Sequence, residues 1–201
     1  MLISRHTSAT SSMALNSSPA IACVGVISKY DQPLHISLFP PHHTTPNAEL
    51  DFLFLLNSCL DIFDLRARTT KLLDSDLGLL QAIDDRLACY GWLTNTGVKF
   101  IIVVDMMGRP PPDPSEQDAP KDKRRFPPAA VGLRDADLKP AFRAVQTAYI
   151  HLMLNPFYMP DERTPLQIAN HGGKSPEITS KKFINEIQRI GKAWYPGIGT
   201  I

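Results

Sequence analysis

The sequence predicts an α+β domain built on a largely antiparallel sheet. Three observations carry that expectation. Short runs rich in Val and Ile are separated by turn residues. Longer segments repeat apolar residues at helical spacing. The two kinds of segment follow one another as strand, strand, helix, three strands, helix, helix, and strands joined by short turns pair antiparallel.

The first strand is Ala20 to Ser28 (AIACVGVIS). A turn through Tyr30, Asp31 and Gln32 leads to Pro33–Phe39, where Leu34, Ile36 and Leu38 alternate with His35 and Ser37. Pro46 and Asn47 then open a long amphipathic helix over Ala48 to Arg66, with Phe52, Leu56, Cys59, Leu60 and Phe63 on one face. Phe54, Leu55, Ile62 and Leu65 fall on its flank and far side. Two explanations stay open for these four: a broad stripe packed under a wide sheet, or a surface for a protein partner, since a patch of exposed Phe, Ile and Leu is costly for a lone monomer.

Three further strands follow, at Leu77–Ile83, Ala88–Thr94 and Val98–Asp105. Asp84-Asp85 suits the first hairpin turn, and Asn95, Thr96 and Gly97, which tolerate positive φ, suit the second. Val98 to Val104 is almost wholly apolar and belongs inside the sheet, covered on both faces. Leu138, Ala141, Phe142, Val145, Ala148, Tyr149 and Leu152 mark a second helix, with Asp137 as N-cap, Pro140 in its first turn and an end at Asn155-Pro156. A last helix runs from Thr179 as N-cap to Trp194, with Phe183, Ile187, Ile190 and Trp194 on one face and Ile178 stapled to Phe183. Asp161–Glu177 reads as a polar loop between them.

Composition narrows the function. The 201 residues make one domain, spanning 20–195. With 21 Lys+Arg against 20 Asp+Glu there is no field to hold a polyphosphate, which speaks against nucleic acid as a partner. Three cysteines without paired spacing make no disulfide framework and point to a reducing, cytoplasmic setting. No apolar run approaches the roughly 20 residues that span a bilayer. Seven of the 18 prolines fall between Arg109 and Ala130, together with an acidic and then a basic cluster, so 109–131 reads as a disordered insertion. Residues 1–19, rich in Ser and Thr, read as a disordered tail in which Met13 is a candidate start and a mitochondrial presequence is the compositional alternative.

The sequence carries no motif for a catalytic, cofactor or metal site. GxGxxG, GxxxxGK[ST] and GxSxG are all missing, and His171-Gly172-Gly173-Lys174 lacks the preceding strand that a phosphate cradle needs. Cys23, Cys59 and Cys89 occupy positions of small buried hydrophobes, and His42-His43 lack a spaced ligand set. A small α+β enzyme assembled from distant residues, for instance Cys89 with His151, is the competing class.

Several stretches together resemble the sedlin family of TRAPP complex subunits. They are ELDFLFLLNSCLDIFDLR (Glu49 to Arg66), LGLLQAIDDRLACYGWLTNTGVKFIIVVD (Leu77 to Asp105) and LRDADLKPAFRAVQTAYIHLMLNPFY (Leu133 to Tyr158). The opening IACVGVISKYDQPLHI and the closing SKKFINEIQRIGK are similar to the family's first hairpin and last helix. Most specific are Tyr90-Gly91, Thr94-Asn95, Val98-Lys99-Phe100 with Asp105, and Asn155-Pro156-Phe157-Tyr158. The sequence looks closer to the sedlin-like paralogue than to sedlin itself.

The resemblance implies a longin-like (SNARE-like) fold: a five-stranded antiparallel sheet with one helix on one face and two on the other. It also implies a non-enzymatic, cofactor-free subunit of a vesicle-tethering assembly in ER–Golgi and intra-Golgi transport. Its partners would be other TRAPP subunits and, indirectly, Rab GTPases, and it would sit in the cytoplasm, peripheral to Golgi membranes. A longin-type trafficking adaptor outside TRAPP is the near alternative. For a subunit of such an assembly, Phe54, Leu55, Ile62 and Leu65 are expected to include contact residues to a neighbouring subunit.

Overall fold

The computed structural model describes residues 18–69, 75–109, 133–160, 164–170 and 177–201. The 1–17 part of the tail, residues 110–132 of the proline-rich segment and His171–Lys174 lie outside the described residues. Five strands form one sheet in the order β2-β1-β5-β4-β3: β1 (Ser18–Ile27), β2 (Pro33–Leu38), β3 (Ser75–Ala82), β4 (Leu87–Leu93) and β5 (Lys99–Arg109). Every pairing is antiparallel: the short turns require it of β1–β2, β3–β4 and β4–β5, and β1 and β5 join the two hairpin units in the same sense.

The central strand β5 explains how the two faces are filled. Its residues Phe100 to Asp105 are all buried, and the period of two divides them: Phe100, Ile102 and Val104 enter one core, Ile101 and Val103 the other. The larger core lies against α3 (Asp135–Met153) and α5 (Lys181–Ala193). The smaller one lies against α1 (Ala48–Ser58) and α2 (Leu60–Thr69). This is the α+β layout expected, with helices on both faces.

Four details depart from the expectation. The first helix is divided at Cys59, whose N–H turns to the Leu56 carbonyl (3.1 Å) while the Ser58 hydroxyl donates to Leu55 (2.7 Å). A serine that competes for a helix carbonyl is a recognised cause of such a break. In α3 the N-cap position is Arg134; Asp137 lies inside the first turn, where its carboxylate accepts the Arg134 N–H at 3.0 Å, and Pro140 falls beyond that turn. The N-cap position of α5 is Ser180, one residue later than Thr179, although Ile178 and Phe183 are both buried in the larger core.

Finally, the stretch read as a polar loop contains a short helix, α4 (Pro165–Asn170). Its start is a capping box: the Thr164 N–H donates to Gln167 Oε1 (2.9 Å) and the Gln167 N–H to Thr164 Oγ1 (3.4 Å), with proline first in the helix.

Candidate functional site

The α1–α2 layer is the surface on which the sequence reading converges, and its position is set from below. The helices settle close to the sheet because two strand residues have no side chain. A Cβ on Gly25 would lie 2.7 Å from Leu56 Cδ1, and one on Gly91 would lie 2.7 Å from both Phe63 Cζ and Leu80 Cδ1. Ala48, Phe52, Leu56, Cys59 and Phe63 are buried in the resulting interface. The Arg66 side chain donates to the Leu77 carbonyl and ties α2 to β3.

The entry to α1 is fixed by a buried carboxylate. Asp105 on β5 is fully enclosed and accepts His42 Nε2 at 2.8 Å, Arg86 Nη2 at 2.7 Å and the Met107 N–H at 2.9 Å. Burial by itself would raise its pKa; the guanidinium, the amide and the imidazole outweigh that and hold the carboxyl below its ordinary value. His42, in the 3-10 turn before α1, packs edge-on against Phe52 with ring centroids 5.4 Å apart. Asp105 thus joins the sheet, the β3–β4 turn and the start of α1.

On the outer side of the layer the four expected residues divide into two pairs. Phe54 and Leu65 are 64% and 66% exposed. Leu55 and Ile62 are half-buried and pack against the edge of the smaller core. Of the two explanations left open by the sequence, the buried stripe accounts in part for the second pair and not for the first. Leu50, not picked out from the sequence, is exposed as well; its spacing of four residues from Phe54 was the signal available.

Comparison with known proteins decides the relationship. The family model described as Sedlin matches residues 26–193. The chain belongs to the sedlin family. Over 172 residues it is 32% identical to the "Trafficking protein particle complex subunit 2-like protein" of Dictyostelium discoideum, covering 85% of this chain and 95% of that one. The proteins of the same name from Bos taurus (32% over 146 residues; 70% and 85% covered) and Xenopus tropicalis (30% over 150 residues; 72% and 86% covered) are similar. The five-stranded antiparallel sheet between two helical layers is the longin-like fold expected of a sedlin-family chain.

The rest of this sedlin-family structure bears on chemistry. Cys89 is fully buried in the smaller core, whereas His151 is exposed on α3, beyond the opposite face of the sheet. The structure therefore does not bring together the pair named for an enzymatic alternative. A hydrogen bond with Cys59 and burial push the Cys89 thiol up, and burial pushes Cys23 up, so both stay protonated. Among the described residues no three His, Cys, Asp or Glu are grouped to hold a metal ion, and no helix is long and apolar enough to cross a membrane.

Proposed function

We propose that the chain is a non-enzymatic subunit of a trafficking protein particle (TRAPP) complex, held to a neighbouring subunit by the outer face of α1 and α2. The observation that carries the reading is the pair Phe54 and Leu65: large apolar side chains, two-thirds exposed, on a helical layer whose inner side is already full. Large apolar anchors of this kind supply most of the energy of a protein interface. Leu55 and Ile62 border them and would be covered by the same partner. The relatives' names, which place those proteins in such a complex, support the assignment. Rab activation is then the work of other subunits, and this chain contributes to assembly. Its attachment to Golgi and ER–Golgi membranes is peripheral, through the complex.

The test replaces both exposed anchors. Phe54→Asp with Leu65→Asp should move the tagged protein, in native lysate, from the elution position of a large assembly to that of a free monomer. The thermal unfolding of the purified domain should stay within about 0.5 kcal/mol of the parent. Continued co-elution of the double variant with its complex would refute the interface. An intact assembly whose mass spectrum holds no TRAPP subunits would favour a longin-type adaptor outside TRAPP.

A further inference from the structure

The outer face of α1 and α2 carries a charge pattern beside its apolar anchors. From Ala48 to Leu65 the chain has four acidic residues, Glu49, Asp51, Asp61 and Asp64, and no Lys or Arg. All four are exposed. Asp51 lies three residues before Phe54 and Asp61 four before Leu65, spacings that bring side chains together on one helix surface, and Asp64 adjoins Leu65. An acid in a first helical turn complements the helix dipole, which accounts for Glu49, Asp51 and Asp61. It accounts neither for Asp64 nor for the missing cations. Elsewhere several carboxylates have a cation beside them: Asp31 has Lys99, Asp76 has Lys139 at 3.8 Å, Asp105 has Arg86 at 2.7 Å and Glu186 has Arg189 at 2.7 Å. Among the described residues, none of the four acids beside the anchors has an ion-pair partner. Arg66, the next cation along the chain, is turned to the Leu77 carbonyl, and exposed Arg68 beyond it is one charge against four.

Shape agrees with sign. Between α1 and β2 a groove of about 560 Å3 has apolar walls of Ile36, Leu38, Leu50 and Leu53, and Glu49 and His43 also line it. Exposed Leu50 stands one helical turn before Phe54, so groove and anchors form one surface. Apolar walls with a single carboxylate suit the methylene stem and charged head of a Lys or Arg side chain.

On the reading that this face holds a neighbouring subunit, we infer that the partner's contact surface is basic: its Lys or Arg side chains lie alongside Phe54 and Leu65, and one of them enters the groove toward Glu49. The anchors supply affinity, and the charges supply the rate of encounter and the choice of partner. A neutral partner would bring four carboxylates to its edge with nothing to meet them, and an anionic membrane would repel them.

The test follows the fraction of tagged full-length chain that co-elutes with the assembly in native lysate, for the parent, Phe54→Asp/Leu65→Asp, Asp51→Lys/Asp64→Lys and the near-isosteric Asp51→Asn/Asp64→Asn. Charge reversal should cut that fraction tenfold or more, and the Asn pair should fall between it and the parent. The parent should also be released from its complex as NaCl rises from about 50 to about 500 mM. If the apolar pair abolishes incorporation while charge reversal and salt leave it unchanged, the interface stands and the basic partner is refuted. Stronger incorporation on reversal would make the partner acidic. Co-sedimentation of the purified chain with phosphatidylcholine–phosphatidylserine vesicles, lost in the apolar pair, would put a membrane on this face instead. Co-elution of the apolar pair itself would refute the reading of the face and the inference with it.

Discussion

At the scale of single residues, two buried polar groups govern how this domain responds to acid. Asp105 is held by Arg86, Met107 and His42, and its folded pKa lies below the ordinary value. Its stabilisation is complete above the unfolded carboxylate pKa of about 4 and is lost as pH falls through the folded value. Asp105→Asn should cost about 3 kcal/mol at pH 7, because it leaves His42 and Arg86 facing a neutral group; urea unfolding measures this. His35 acts in a higher window. It is buried beside Phe183, 2.7 Å from Ser37 Oγ, and desolvation lowers its pKa, with Glu177 opposing in part. The unfolded chain therefore takes up the proton first, and stability should fall as pH drops below about 6.5, levelling off once the folded imidazole is also charged. In His35→Gln that decline between pH 7 and 5 should flatten. Unfolding curves that keep the same slope in the variant would show that another group is responsible.

At the scale of elements, the legible parts of the fold are those whose signal is local. The apolar faces of α3 and α5 follow from spacing alone: Leu138, Phe142, Val145 and Leu152, and Phe183, Ile187, Ile190 and Trp194, are buried as their period demands. The caps were less legible because several neighbouring residues compete for the role. Asp137 and Thr179 are credible N-caps by type, yet the helices begin where tertiary contacts place them, with Trp194 Nε1 donating to the Asp137 carbonyl across 3.0 Å. Thr164-Pro165-Leu166-Gln167 carries a local helix-start signal, obscured by the polar residues around it. The Asp105 node could not be read at all, since His42 is 63 and Arg86 19 residues away. Of the candidate interface, the face was legible, but the division into exposed Phe54 and Leu65 and half-buried Leu55 and Ile62 was not, because it depends on how the helices settle against the edge of the smaller core. Aspartate at Ile62 would therefore disturb the smaller core as well as a partner, and for that reason the decisive double variant uses Leu65.

At the scale of the whole molecule, the sheet separates two helical layers, and the closeness of the α1–α2 layer to it is set at strand positions that have no side chain. Gly91 is the sensitive point. A methyl group there would lie 2.7 Å from Phe63 and Leu80, both themselves buried and hemmed in by the smaller core, so it must push α2 outward. Gly91→Ala should lower stability by about 1–3 kcal/mol through overpacking. It should also weaken incorporation into the complex while Phe54 and Leu65 remain in place. The contrast with Phe54→Asp/Leu65→Asp separates two requirements. The surface pair should abolish assembly at unchanged stability, whereas the glycine variant should lose both together. If Gly91→Ala unfolds at the parent midpoint yet fails to assemble, the sheet itself contacts the partner, and the helical layer is not the whole of the interface.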